Sequence, residues 1–196
     1  MTNEHELASA DGSSGLGMNP DPGSVSGASN GGAESPWRVD VLDRTGKELL
    51  APQRLREVVL EALRDERVSR AEISVAVVDD EEMARLHLEF LQVEGPTDVL
   101  SFPLDGDSLH AWDGPIDERR GEGRSVGGEV VISADMADRV AREVGCTAAD
   151  ELTLYLVHGL LHLCGYDDLD DADREQMRRR ESELLGALGV AVRVKR

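Results

Sequence analysis

Basic residues are scarce in this chain. Its 196 residues hold 21 Lys and Arg against 40 Asp and Glu, a formal net charge of −19. The excess of acid is not confined to a tail, because residues 1–36 contribute only Glu4, Glu6, Asp11, Asp21 and Glu34 to it. A surface so charged does not grip nucleic acid by bulk electrostatics, since phosphate contacts need Lys and Arg. Any polynucleotide substrate has to be met by a local patch or through a larger partner. Cysteine is sparse as well. Cys146 and Cys164 are the two present, without framework spacing, which excludes a disulfide-stapled domain and suits a reducing compartment. No apolar run approaches the length of a membrane span, and the N-terminus has neither a basic n-region nor an apolar h-region. The expectation is a cytoplasmic protein with no membrane association.

Large apolar residues are almost missing from residues 1–36, which are dominated by Gly, Ser, Asn, Asp and Pro. Such a segment cannot bury enough surface to offset its ordering entropy, so a disordered extension is expected there and one domain over residues 37–196. Residues 37–43 alternate as a strand, and Pro52 opens a helix to about residue 66 with Leu55, Val58, Val59, Ala62 and Leu63 at helical spacing. Residues 72–78 form a second strand with Ile73, Val75 and Val77 on one face. Asp79 or Asp80 caps a helix to about Phe90, with Met83, Leu86 and Phe90 inward. Val99 to Phe102 is a short strand bounded by Pro96 and Pro103, hence an edge strand. Residues 104–126 are too polar for a core and read as an exposed loop. Residues 128–133 make a fourth strand. Ser133 caps a helix closed by Gly145, and Thr147 with Asp150 starts the next. A polar helix follows over about residues 170–185, and the alternating tail at 190–194 either adds a strand or frays. This order implies an α+β domain, a small mixed four-stranded sheet packed with about five helices.

The helix after Thr147 organises the rest. Its apolar run leaves almost no polar face, yet two histidines enter it four positions apart, at His158 and His162. Residues at i and i+4 lie one turn apart on the same face, so both imidazoles point at one spot. Gly165 ends the helix, and the chain turns back to bring Asp168 to that spot, with Asp167 as the alternative. Two helical histidines and a third ligand from the following turn make a three-ligand site with an open position, the arrangement of a catalytic zinc centre holding one Zn2+. A lone histidine in an apolar helix is more often a hydrogen-bonded core residue, but the pair with its glycine and aspartates favours metal. The helix is zincin-like without being a peptidase motif, which needs a glutamate where Gly159 stands.

Two stretches resemble a known family. His158-Gly-Leu-Leu-His162-Leu-Cys-Gly165-Tyr-Asp167-Asp168 is similar to H-G-x-L-H-L-x-G-Y-D-H of the YbeY family, bacterial endoribonucleases of ribosomal RNA maturation. Pro96-Thr97-Asp98-Val99-Leu100-Ser101-Phe102-Pro103 matches that family's P-T-D-V-L-S-F-P, and Gly128 to Ile132 resembles its G-D-I-x-I strand. The resemblance covers residues 37–186. It implies a zinc-dependent, single-strand-specific endoribonuclease acting in rRNA processing, notably small-subunit rRNA 3′-end maturation, and in ribosome assembly. The implied partners are an rRNA precursor and the ribosome or a small-subunit assembly intermediate, with no DNA expected.

By the same resemblance His158 and His162 are metal ligands, and Asp168 stands where the family has its third histidine. The family's arginine after an aromatic residue falls on Leu91, which leaves Arg85 as a neighbouring cation. No side chain is assignable as general base, so catalysis would rest on water at the metal. Thr97 and Ser101 could hydrogen-bond substrate or satisfy backbone, and Asp98 could orient a ligand histidine. Three alternatives stay open: a non-catalytic metal-binding ribosome assembly factor, a metallohydrolase with a non-RNA substrate, and a plain structural domain without metal.

Overall fold

The computed structural model describes residues 35–104 and 119–190. Four strands form one mixed sheet, β1 (Trp37–Asp43), β2 (Arg70–Val78), β3 (Val99–Pro103) and β4 (Ser125–Ser133), in the order β1-β2-β4-β3. β1 and β4 flank β2 in parallel, with Val41 opposite Val75 and Val75 opposite Val130, whereas β3 runs antiparallel to β4. β3 is thus an edge strand, as its flanking prolines imply. Five helices complete the described residues: α1 (Pro52–Asp65), α2 (Asp80–Leu91), α3 (Ala134–Val144), α4 (Ala148–Leu163) and α5 (Asp171–Ala187). The α+β expectation holds.

Strand alternation splits the apolar residues between two faces. Ile73, Val75, Val77, Val130 and Ile132 enter the main core with α1, α4 and α5. Ala76, Val78, Val131 and Leu100 enter a smaller cluster closed by Met83 of α2. α4 lies in the middle of the helical layer and is buried nearly all round. From Glu151 to Cys164 only His158 and His162 are not buried. Each of its fully buried Leu and Val side chains contributes roughly 1.5–3 kcal/mol by leaving water, so this helix anchors the domain and fixes the two histidines at its surface.

Caps fall where side-chain chemistry places them. Asp79, Ser133 and Thr147 accept from the backbone N–H groups of Glu82, Met136 and Asp150, at 2.9, 3.1 and 3.0 Å. Three expectations need correction. Phe90 does not point inward. It is 55% exposed, because α2 covers the sheet only through Met83 and Leu86 and ends at Leu91 with Gln92 left-handed. The polar stretch 104–126 is not all exposed loop, since β4 already begins at Ser125 and Arg120 is buried, donating to Gly165 O, Asp173 and Gln176. α5 is not simply polar either, because Gln176, Met177, Arg180, Glu181, Leu184 and Leu185 line its buried face. The expected extension over residues 1–36, but for Ser35 and Pro36, and the tail beyond Val190 lie outside the described residues.

Candidate metal centre

His158 and His162 leave α4 in consecutive turns, and their rings meet edge-on with centroids 4.6 Å apart. Their Nε2 atoms are 3.0 Å from one another, and both Nδ1 atoms point away to partners. Nδ1 of His162 faces the carbonyl oxygen of Tyr166 at 3.0 Å. A carbonyl only accepts, so Nδ1 carries the proton and Nε2 of the neutral ring carries the lone pair. Nδ1 of His158 is held at 2.5 Å by Oε1 of Glu181, a buried carboxylate on α5. Burial, then the neighbouring His158, push the pKa of His162 below its ordinary value. That keeps its ring in the neutral form that ligates metals.

Asp168 completes the group. Gly165 takes a positive φ of 95° that few other residues tolerate, and the chain turns back there. Oδ1 of Asp168 comes to 4.0 Å from Nε2 of His162, and the ligand atoms of His158, His162 and Asp168 lie within 4.8 Å of one another. Asp167, the alternative, uses Oδ1 to accept from the N–H of Asp168 at 2.7 Å.

The donor set fits a zinc ion. Two lone-pair nitrogens at 3.0 Å repel unless a proton or a cation lies between them. Two nitrogens on one tetrahedral zinc, each about 2.0–2.1 Å from it, are roughly 3.3 Å apart. A carboxylate as third ligand leaves the fourth position open, as catalytic sites require. Nδ1 partners such as Glu181 and the Tyr166 carbonyl are the usual means of fixing a ligand histidine's tautomer and rotation.

Gly159 is explained by packing. A Cβ there would lie 2.6 Å from Val130 Cγ1 and 2.9 Å from both Ser101 Oγ and Val99 Cγ2. This position faces the sheet, so no side chain on it can serve as a base beside the two histidines.

The other sequence-selected residues surround the site. Ser101 donates from Oγ to the carbonyl of Gly159 at 3.1 Å, tying β3 to α4. Thr97 donates to Asp98 Oδ1 at 2.9 Å, and the same oxygen accepts from the N–H of Val99 at 3.0 Å. Asp98 also lines the cavities on both sides of the histidines. Arg85 pairs with Glu82 and Glu89 on its own helix, at 3.0 and 2.6 Å. Sequence reasoning missed Glu181. Its signal was Met177, Leu184 and Leu185, a helical stripe on which position 181 also falls.

Two cavities share His158, Asp98 and Asp168 in their walls. One, of about 240 Å³, lies toward α5 and is lined by Arg174, Arg178 and Glu181 as well as His158 and Asp168. The other, of about 500 Å³, lies toward α2 and β3, with Phe90, Leu91 and Phe102 in its wall.

Comparison with known proteins agrees with this geometry. Residues 42–189 match the family model described as Endoribonuclease YbeY. The Endoribonuclease YbeY of Micrococcus luteus is 38% identical over 152 residues, 76% of this chain and 92% of that protein. That of Thermobifida fusca is 39% identical over 151 residues, 75% and 91% of the two chains. The solution structure of TM1509 from Thermotoga maritima superposes with a TM-score of 0.50 over 81% of this chain and 100% of that one, a likeness of fold at 24% identity. Matched over three quarters of its length, its two motif stretches and its histidine pair included, the chain belongs to the YbeY family of endoribonucleases.

Proposed function

We propose that this protein is a zinc-dependent, single-strand-specific endoribonuclease that acts on rRNA precursors, at the small-subunit 3′ end, during ribosome assembly in the cytoplasm. The observation that carries the reading is the paired orientation of His158 and His162, each with Nδ1 engaged and Nε2 turned to one point that Asp168 also reaches. Zinc held there would supply a Lewis acid for the phosphodiester and lower the pKa of water toward about 7. The chain's own residues do the rest. Glu181 and the Tyr166 carbonyl hold the imidazoles, Asp168 supplies the anionic ligand, and α4 keeps the ligands rigid. Phe90 and Phe102, with ring centroids 4.8 Å apart, sit beside Leu91 on an apolar wall next to the site. Such a wall suits the face of an unpaired base and offers nothing to a closed duplex, which favours a single-stranded substrate. The sheet-facing Gly159 disfavours peptide hydrolysis.

The test is metal content and cleavage of single-stranded RNA, measured on one preparation for wild type, His162→Ala and Asp168→Ala. Stoichiometric zinc and metal-dependent cleavage, both abolished in both variants, is the expected result. Zinc without cleavage would instead make the protein a metal-binding assembly factor, and a zinc-free wild type would end the metal reading.

A further inference from the structure

We infer that Arg178, with Arg174 one turn before it, is the phosphate-holding group of this site. The inference rests on the nuclease reading and extends it to residues of α5.

The first ground is placement. Residues 174, 178 and 181 follow one another at i, i+4 and i+7, so they share one face of α5. Glu181 reaches from that face to Nδ1 of His158. The same face therefore carries both arginines to the His158 cavity, and both line it together with Asp168. The two arginines thus share a cavity with two of the three residues grouped as metal ligands, His158 and Asp168. The planar fork of a guanidinium matches two oxygens of one phosphate.

The second ground is charge. This acidic protein uses its cations to neutralise its own carboxylates. Arg44, Arg54, Arg64, Arg85, Arg139 and Arg142 each pair with Asp or Glu. Arg178 has no carboxylate partner among the described residues, although it lines a cavity beside Asp168 and Glu181. Arg174 pairs with Asp171 at 2.7 Å, but the Asp171 side chain is fully exposed, and a pair of that kind is screened and easily exchanged. Glu181 is turned to Nδ1 of His158, so the Arg178 guanidinium keeps its charge unpaired, among the described residues, on the α5 side of the cavity. An anion is the complementary ligand.

The third ground is what the opposite wall lacks. Leu91 is 56% exposed beside the second cavity, and Arg85 is held by two glutamates on its own helix. The cations that meet a phosphate at this site come from α5. A strand crossing the histidines would lay a base on the Phe90 and Phe102 side and its backbone on the Arg178 side.

The experiment compares wild type with Arg178→Ala, Arg178→Lys and the Arg174→Ala/Arg178→Ala double variant. Arg179→Ala removes the same charge from the outward side of α5 as a control. Each zinc-loaded protein is measured for bound metal, melting temperature, kcat/KM for cleavage, and salt-dependent binding of a short fluorescein-labelled single-stranded RNA. Arg178→Ala should keep its zinc and its melting temperature while kcat/KM falls about tenfold or more, as expected when a charge-assisted hydrogen bond to phosphate is removed. The slope of log affinity on log salt should fall by about 0.7 for each phosphate that is no longer neutralised. Arg178→Lys should restore the slope but only part of the rate, because lysine keeps the charge without the fork. A cleaving wild type with unchanged slope and rate in the double variant overturns the inference and leaves the nuclease intact. A wild type that binds RNA without cleaving it, with a slope that depends on Arg178, sinks the nuclease and keeps the phosphate anchor. A wild type that neither binds nor cleaves overturns both.

Discussion

Oε1 of Glu181 lies 2.5 Å from Nδ1 of His158, on the side of the imidazole away from Nε2. A carboxylate in that place selects the tautomer with a bare Nε2 and makes this nitrogen a better donor to a cation. Glu181→Gln keeps the shape and removes the charge. Zinc affinity should fall about 10–100-fold, while the metal-free protein should be no less stable, since the substitution spares a buried charge. Competition with a chelator reads the first quantity and chemical denaturation the second. Unchanged zinc affinity would mean that Glu181 is only a packing residue.

α5 is fastened beneath the site by a buried ionic cluster. Arg180, 2% exposed, donates from Nε to Glu66 Oε1 at 3.0 Å and from Nη2 to both Glu66 and Asp65. Glu66 also accepts from the Tyr166 hydroxyl at 3.0 Å, and burial with this carboxylate pushes the Tyr166 pKa up to about 12. Burial alone would pull Arg180 down, but the Glu66 charge and the hydrogen bonds to Glu66 and Asp65 outweigh it and hold the guanidinium protonated. Removing one partner strands a buried charge, so Arg180→Met or Glu66→Gln alone should cost about 3–5 kcal/mol. The double variant should cost clearly less than the sum of the singles. Additive effects in urea denaturation would show that the two residues are not coupled.

Glu151 should make the stability of α4 depend on pH. It is 2% exposed in the first turn, where it accepts from the Cys146 thiol at 3.6 Å. Burial raises its pKa above the ordinary 4.5, against the lowering effect of hydrogen bonds from Cys146 and Tyr155. The folded state therefore binds this proton more tightly than the unfolded chain does. Its contribution to stability is fully present below pH 4.5 and is lost as pH rises from there through the folded value. Glu151→Gln removes that loss, so the variant should gain on wild type in melting temperature between acidic and neutral buffer. A gap independent of pH would contradict the raised value.

The residues that were legible in the sequence are those whose chemistry is local. His158 and His162 share a face by helical geometry, Gly165 turns the chain by its φ, and Thr147, Ser133 and Asp79 cap helices within three residues of themselves. The edge position of β3 follows from its prolines. What stayed hidden depends on partners far away in the chain. Arg180 and Glu181 sit in an arginine-rich run that looks solvated, and their burial becomes tolerable only beside Glu66 and His158. Arg120 was hidden for the same reason, because its partners Gly165 and Asp173 lie far along the chain, in the turn after α4 and on α5. Phe90 has inward spacing with Met83 and Leu86, yet α2 ends before the sheet can cover it, and its ring rests against Phe102 instead.

Asp168 stands where the motif that this chain resembles has a histidine, and as a metal ligand it would have a chemical consequence. Its Oδ1 is 4.0 Å from Nε2 of His162, within reach of a shared ion. An anionic third ligand leaves less positive charge on the metal than an imidazole would, so proton loss at the metal becomes harder. Asp168→His should therefore retain zinc and shift the rising limb of the pH–rate profile to lower pH, on the order of 1 unit. Asp168→Asn, neutral and a poorer ligand, should lose metal instead. The check is zinc stoichiometry and cleavage rate across pH for the three proteins. If Asp168→His binds zinc with an unshifted profile, Asp168 lies outside the coordination sphere and the site rests on the two histidines. If it loses zinc, the turn after Gly165 is fitted to the shorter aspartate, and the departure from the motif is one to which the fold itself is matched.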